Sequence, residues 1–393
     1  MLTSRFQDKE LSLLGFGAMR LPTLPTGEID ENQVDEMVRL AMEQGVNYFD
    51  TAYPYHGGMS EGVMGRVLSK YPRETWYLAD KYPGHQIAET YDPAAIFEDQ
   101  LRKCGVDYFD FYLLHNVYEH SMDVYLDPQW GILDYFREQK RLGRIKHLGF
   151  STHGRLENLR AFLDVAGDDM EFCQIQLNWL DWTLQEAKEK VELLNERNIP
   201  VWVMEPVRGG RLCRLNHTEM ETLKALRPDE SIAAWSFRFL QDIPGVTMIL
   251  SGMSDMAQMK DNLHTFEEAK PLSDEERQTL FNMAEGMKKS VPCTGCGYCL
   301  SMCPLGLDIP TMLATFNELR FAPVTNASML LEFLPAQKQP AACIGCAQCM
   351  QMCPQSISIP VHLRELSAIL RDMPKWADIS RERAEAAKRA MGK

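Results

Sequence analysis

Eight of the eleven cysteines fall into two copies of one signature, Cys293-x-x-Cys296-x-x-Cys299-x-x-x-Cys303-Pro304 and Cys343-x-x-Cys346-x-x-Cys349-x-x-x-Cys353-Pro354. Four thiolates at this spacing, with a proline behind the last, form the ligand pattern of 4Fe–4S clusters of bacterial ferredoxin type. The short spacers let one loop place three sulfurs around one face of a cube. The fourth cysteine, carried off by the proline turn, ligates the other cluster. The expected sets are therefore Cys293, Cys296, Cys299 and Cys353 for one cluster, and Cys343, Cys346, Cys349 and Cys303 for the other. Zinc sites space their cysteine pairs more widely, and disulfides call for a secreted chain. The copies are also an internal repeat: a shift of fifty residues superposes all eight cysteines, Gly295 on Gly345, Met302 on Met352 and Ile309-Pro310 on Ile359-Pro360.

The chain has 393 residues, enough for a barrel-sized core and a second domain. With 45% hydrophobic and 24% charged residues the composition is that of a globular protein. A net charge of −14 excludes nucleic acid and anionic membrane surfaces as partners, since both demand a basic face. Nothing in the N-terminal stretch directs export, and no apolar run is long enough for a membrane span. Cluster thiolates require a reducing compartment, so the expected location is cytoplasmic. Cys104, Cys173 and Cys213 lack partner spacing and read as core thiols.

Over the first 265 or so residues, short apolar runs alternate with amphipathic helical stretches. The expected strands are Ser12–Gly17, Val46–Asp50, Trp76–Lys81, Phe109–His115, Ile145–Ser151, Phe172–Gln176, Val201–Glu205 and Val246–Ser251. Such regular alternation predicts an α/β fold, a closed (β/α)8 TIM barrel rather than an open sheet. Gly15-Phe16-Gly17-Ala18-Met19-Arg20 lacks the third glycine of a dinucleotide-binding turn. In a parallel barrel the chemistry sits at the C-terminal strand ends. That rule selects Asp50 on the second strand with Tyr55 just beyond, Lys81 on the third and His115 on the fourth. A buried Asp50–Lys81 bridge is costly unless well bonded, which disfavours a purely structural role.

These residues stand in motifs that resemble the aldo-keto reductase family. Phe49-Asp50-Thr51-Ala52-Tyr53-Pro54-Tyr55, running on to Ser60-Glu61, is similar to that family's D-T-A-x-x-Y-G…S-E segment, and Ala79-Asp80-Lys81 and Leu113-Leu114-His115 match its lysine and histidine motifs. The resemblance covers residues 10–265 and implies that Tyr55 is the general acid, Lys81 lowers its pKa, Asp50 holds Lys81, and His115 orients a carbonyl. Elementary chemistry agrees. A phenol, with pKa near 10, is drawn toward the working range by a nearby ammonium, and donors aimed at a carbonyl oxygen stabilise the charge that grows there as hydride arrives.

The same resemblance implies cofactor contacts. Ser151, Gln174 and nearby Asn178 match positions that hold the nicotinamide carboxamide. Thr152 stands where many members have asparagine, and Met204 where an aromatic ring usually stacks. Ser251, Gly252, Gln258 and Asn262 resemble the adenosine-phosphate loop, with Gln258 and Gly252 replacing an arginine and a lysine, which weakens NADP against NAD.

The expected domains are a barrel over 1–268, a linker helix over 269–292, a dicluster, mainly α-helical ferredoxin-like domain over 293–375, and a charged tail over 376–393. The long insert between the repeats predicts the helical type, with a helix from Ile309. The leading functional expectation is an oxidoreductase that reduces a small ketone or aldehyde with NAD(P)H and carries two 4Fe–4S clusters for electron transfer, with a redox partner protein. Alternatives are an electron-transfer enzyme that uses FMN in the barrel to split hydride into single electrons, and a non-catalytic redox sensor. The loops Pro83–Asp92 and Val117–Pro128 are candidates for shaping the substrate site.

Overall fold

The computed structural model describes residues 1–86, 88–119, 121–287, 291–321, 328 and 331–375, and the charged tail over 376–393 lies outside the described residues. The chain divides into two compact units, Met1–Ala284 and Glu285–Lys393.

The first unit is a closed barrel of eight parallel strands: β3 (Leu14–Gly17), β4 (Tyr48–Asp50), β5 (Tyr77–Tyr82), β6 (Phe109–Leu114), β7 (Ile145–Thr152), β8 (Cys173–Gln176), β9 (Val201–Met204) and β10 (Val246–Ser251), with β10 closing onto β3. The strands are continuous apolar runs because helices cover one face and packed side chains fill the other. Helices start where the sequence supplies a cap. Asp30 accepts from the Gln33 amide ahead of Glu31–Glu43, and Asp92 accepts from the Ala95 amide ahead of Pro93–Cys104. Gly65, on the helix Ser60–Leu68, lies so close to its neighbour that a Cβ would stand 2.5 Å from the Cys104 carbonyl oxygen. The last helix of this unit begins at Asp274 and runs to Met287, so the boundary at Ala284 falls inside it. Within the barrel unit it is tied by the Arg227–Glu276 ion pair at 2.6 Å and by Phe281 against Phe239.

Two strands precede the barrel, β1 (Thr3–Phe6) and β2 (Lys9–Ser12), paired as an antiparallel hairpin. The first barrel strand, expected from Ser12, starts at Leu14. Leu11, Leu13 and Leu14, buried on both sides of Ser12, hide the break, and Ser12 ends the hairpin instead. The hairpin seals the N-terminal end of the barrel. Phe6 lies among Phe111, Phe172 and Trp202, and Ser4 Oγ donates to the Thr247 carbonyl at 2.5 Å.

Among the described residues the second unit has helices and turns and no strand. Its core is built from pairs fifty residues apart, Leu307 with Ile357, Ile309 with Ile359, Leu313 with Leu363 and Phe316 with Leu366. The helices Ile309–Phe321 and Ile359–Asp372 carry these pairs, and each begins with Ile-Pro, where a proline in the first turn loses no hydrogen bond.

Candidate functional site

Asp50 is the last residue of β4, Lys81 lies near the end of β5, and His115 directly follows β6. All three emerge at the C-terminal end of the barrel with Tyr55, which sits in the turn Tyr55–Gly58. That turn is held in an unusual shape: His56, Gly57 and Gly58 all have positive φ. The His56 ring fixes it by accepting the Leu21 amide at 3.0 Å, and Thr51 Oγ1 and Ser60 Oγ meet across its base at 2.9 Å.

Lys81 Nζ is 1% exposed as a side chain and binds Asp50 Oδ1 at 2.5 Å, the Thr51 carbonyl at 2.8 Å and the Tyr55 hydroxyl at 3.4 Å. The tyrosine oxygen and the ammonium thus face each other. The His115 ring stands edge-on to the Tyr55 ring, centroids 5.9 Å apart. Burial raises the Asp50 carboxyl above its usual range, with Lys81 working the other way.

The Tyr55 phenol goes the opposite way from the expected fall. Burial pushes it well above 10, and the carboxylates of Asp50, Asp80 and Glu205 add to the shift. Burial is the larger cause, and Asp50, bound to Lys81 at 2.5 Å, sets its own charge against that of the ammonium. A phenol so placed keeps its proton at neutral pH, the state a proton donor needs. His115 is held neutral too, its pKa well below 6.5 because of burial first, then His85, Lys81 and His153.

His85 is a participant the motif reading passed over, although it lies in the loop Pro83–Asp92. Its ring packs against that of His115 with centroids 4.3 Å apart. Burial, with His153 adding to it, brings the His85 ring down to about 3. His153 Nδ1 meets Gln176 Oε1 at 2.9 Å, Gln176 Nε2 donates to Asp181, and Asp181 is paired in a buried bridge with Arg208. Asn116, next to His115, takes positive φ. It is held by Ser151 Oγ, which accepts its amide at 2.8 Å, and by Ser121 Oγ, which donates to its carbonyl at 2.6 Å.

The expected cofactor residues separate by what their polar atoms already do. Gln174 Oε1 is buried with no hydrogen-bond partner among the described residues. An amide N–H, such as that of a nicotinamide carboxamide, would satisfy it. Ser151 has accepted one amide and keeps its own O–H to donate. Thr152 Oγ1 donates to the Val117 carbonyl and accepts the Gly154 amide. Asn178 is occupied throughout: Oδ1 accepts the Leu180 and Asp181 amides, and Nδ2 donates to Asp181 and to the Glu205 carbonyl. Met204 ends β9, half-buried. Ser251 Oγ accepts from Asn262 at 2.8 Å, and Gln258 is turned back to Ser254 and Asp255. A Cβ on Gly252 would stand 3.3 Å from Arg20 Cβ. This brings the discounted first-strand turn, with its arginine, beside the loop that resembles a phosphate site.

Behind Lys81 lies a buried acid pair, Glu61 and Asp80, both fully inaccessible. Gln100 donates to Glu61 at 3.1 Å, and Lys103 pairs with it at 3.1 Å. Asp80 Oδ1 accepts the Lys81 amide, and Cys104 packs on Oδ2. Burial raises both carboxyls, and for Asp80 the facing Glu61 charge adds to the rise. Folded values above the unfolded ones mean that the fold prefers the protonated form, so stability falls as pH rises from about 4 toward the folded pKa. Asp80→Asn keeps the acceptor for Lys81 and supplies an N–H toward Glu61. It is expected to stabilise the protein at about pH 8 by roughly 1 kcal/mol or more, read from urea unfolding, and to flatten the decline of stability above about pH 4.

In the second unit the cysteines gather in the crossed sets read from the spacing. Cys303, Cys343, Cys346 and Cys349 line one cavity of about 330 Å³, together with Leu307, Ile309 and Leu363. Cys293, Cys296, Cys299 and Cys353 line another of about 300 Å³. None of the eight is joined in a disulfide among the described residues. Among the described residues no three His, Cys, Asp or Glu side chains surround a point fit for one metal ion. The donor set of four sulfurs in each apolar pocket fits a four-iron cube chemically, each thiolate meeting a different iron.

Comparison with known proteins agrees with both halves. The model of the aldo/keto reductase family matches residues 13–284, and that of a 4Fe-4S dicluster domain matches residues 292–358. The chain is 24% identical over 327 residues to the NADH-specific methylglyoxal reductase of Escherichia coli (strain K12), covering 72% of this chain and 97% of that one. To the uncharacterized oxidoreductase YqkF of Bacillus subtilis (strain 168) it is 24% identical over 312 residues, covering 70% and 95%. The holo form of the aldo-keto reductase AKR11C1 from Bacillus halodurans superposes with a TM-score of 0.59 at 27% identity, covering 72% of this chain and 96% of that one. An aldo/keto reductase from Klebsiella pneumoniae, solved with NADP and acetate, shares the fold at 20% identity, with a TM-score of 0.59 over 72% of this chain and 95% of that one.

Proposed function

The chain belongs to the aldo/keto reductase family, and from that premise we propose that it reduces the carbonyl of a small ketone or aldehyde with NAD(P)H, Tyr55 giving the proton. It is an oxidoreductase of that type joined to a 4Fe-4S domain. The observation that carries the proposal is the meeting of the Tyr55 hydroxyl with the Lys81 ammonium at 3.4 Å, beside the His115 ring at the barrel mouth. Bound NAD(P)H would supply the hydride, and bound clusters single electrons.

The chain's own groups do the rest. Tyr55, fully protonated, gives its proton to the substrate oxygen as negative charge develops there, and an alkoxide is a far stronger base than a phenolate. Neutral His115 donates to the same oxygen, and its fixed ring orientation costs no reorganisation at that moment. Asp50 pins the Lys81 ammonium in place. Gln174 and Ser151 hold the carboxamide, Gln174 with its otherwise unpartnered oxygen. Thr152 and Asn178 serve the walls of this site through their bonds to its loops.

For the substrate, two relatives have names that agree in chemistry. One is the NADH-specific methylglyoxal reductase, the other the NADPH-dependent alpha-keto amide reductase of Saccharomyces cerevisiae (strain ATCC 204508 / S288c). Both names denote a carbonyl next to a second one, and 1,2-dicarbonyl compounds are therefore the first class to assay. The two cysteine sets are proposed to hold two clusters that exchange electrons with a redox partner protein. Coupling them to hydride transfer requires a one-electron splitter such as FMN.

The test is anaerobic purification with iron, sulfide and flavin assays, followed by turnover of aldehydes, ketones and methylglyoxal with NADH and NADPH. Turnover supports the enzyme, and none across those classes with either cofactor sinks it. Bleaching of the cluster absorption on addition of NADPH would establish internal electron flow. Gln174→Leu is expected to raise KM for the cofactor about tenfold and change kcat less, one hydrogen bond to a buried polar group being worth roughly 1–1.5 kcal/mol. Steady-state kinetics with cofactor varied at saturating substrate checks this.

A further inference from the structure

The two cysteine copies are equivalent in sequence and unequal at the surface. Thr294, between the first two cysteines of the first copy, is 4% exposed, and its counterpart Ile344 is 67% exposed. Cys296 is half-buried while Cys346 is exposed. The difference recurs on the following helices, where half-buried Thr311 corresponds to Val361, 47% exposed. Twice, then, a polar residue on the covered copy is replaced by a branched apolar one on the open copy. Ile344 lines the pocket of Cys303, Cys343, Cys346 and Cys349 together with Pro360, and Val361 follows Pro360 in the chain. Residues 339–361 contain no Asp, Glu, Lys or Arg. Ile309 lines this cavity and the next residue, Pro310, lines the other, so the two cysteine sets adjoin.

We infer that the loop Cys343–Cys349, with Ile344 and Val361, is the port at which a one-electron carrier protein docks and exchanges electrons, and that the first cysteine set receives them from the second. The inference rests on the reading that both sets hold clusters. A lone exposed apolar residue is ordinary. Two of them on a redox-ligand loop, where the repeat shows that polar residues serve equally well for folding, are not. The occupant follows from size and charge. Electron-transfer encounters are small and short-lived, below about 1,200 Å² in total, and an apolar loop free of charged residues from 339 to 361 suits a carrier whose redox group is ringed by apolar atoms. Each encounter moves one electron: the carrier is oxidised by one and the cluster reduced by one, or the reverse. No bond forms or breaks, and two encounters match the pair carried by one hydride.

Stopped-flow reduction of the anaerobic, full-length holoprotein tests this with two probes, flavodoxin hydroquinone as the protein carrier and reduced methyl viologen as a small one. In Ile344→Glu/Val361→Glu the second-order rate constant with flavodoxin should fall about tenfold or more, with the viologen rate, the iron and sulfide content and the EPR spectrum unchanged. Ile344→Thr/Val361→Thr, which copies the residues of the first repeat, should fall in the same direction, and it replaces the glutamate variant if that one loads iron poorly. Thr311→Glu, at the equivalent place on the covered copy, should stay near wild type. The wild-type rate with flavodoxin should also depend only weakly on salt, as an uncharged contact requires. An unchanged flavodoxin rate in the apolar-face variants overturns the inference. So does an equal fall in Thr311→Glu, or a wild type that viologen reduces and flavodoxin does not. A wild type that takes up no iron and sulfide instead removes the cluster reading beneath it, and that assay precedes any kinetics.

Discussion

Tyr55→Phe should lower kcat for carbonyl reduction by about 10²–10⁴, the usual contribution of a positioned general acid, and leave KM for the carbonyl and the melting temperature close to wild type. The fold should survive because the hydroxyl makes one long bond to the protein, to Lys81 at 3.4 Å, while the ring stays packed against His115. A loss of kcat without loss of binding marks an interaction made in the transition state. The pH profile adds a second check. With the phenol pushed well above 10 by burial, wild-type kcat should be flat from neutral to mildly alkaline pH. A Tyr55→Phe enzyme that keeps more than about a tenth of wild-type kcat would place the proton donor elsewhere.

Asp50→Asn should destabilise the barrel by about 3–5 kcal/mol, because it leaves the Lys81 ammonium buried without its counter-charge. The pair lies at 2.5 Å with both side chains almost wholly inaccessible, and among the described residues the other oxygens bonded to the ammonium are the Thr51 carbonyl and the Tyr55 hydroxyl. Lys81→Met should cost a similar amount, since Asp50 then loses its cation. The double replacement Asp50→Leu/Lys81→Met should recover much of the loss, because removing both charges removes the desolvation penalty together with the attraction. Urea unfolding of the four proteins measures this cycle. A double variant as unstable as the sum of the singles would mean that the ion pair is not what couples these positions. Carbonyl turnover should be lost in all three variants, the recovered double included, and that separates the pair's catalytic service from its structural one.

Much of this site was readable from the sequence because a parallel barrel converts order along the chain into position in space. Asp50, Lys81 and His115 each follow an apolar run, and the closure of strands over those runs brings them to one rim. The cysteine sets were readable for a similar reason: the spacing itself is the geometry. What escaped was whatever depends on irregular backbone. His85 sits in a loop with no period to betray it, and only the packed rings show it against His115. The commitments of Thr152 and Asn178 to neighbouring backbone are invisible in a string of letters. The direction of the Tyr55 shift escaped because a string of letters does not show how deeply the phenol is buried, nor that three carboxylates stand near it beside the one ammonium. The hairpin Thr3–Ser12 failed because four-residue strands with charged outer positions carry almost no periodic signal.

That hairpin has a consequence for how the molecule is made. Ser4 bonds to Thr247 across 243 residues, and Phe6 is received by Phe111 on β6, Trp202 on β9 and Phe172, which leads into β8. During synthesis the stopper therefore leaves the ribosome long before the bottle exists. It must idle, apolar side exposed, until the eighth barrel strand has arrived, which makes the final seating of these few residues a slow, long-range step and their waiting surface a natural client for chaperones.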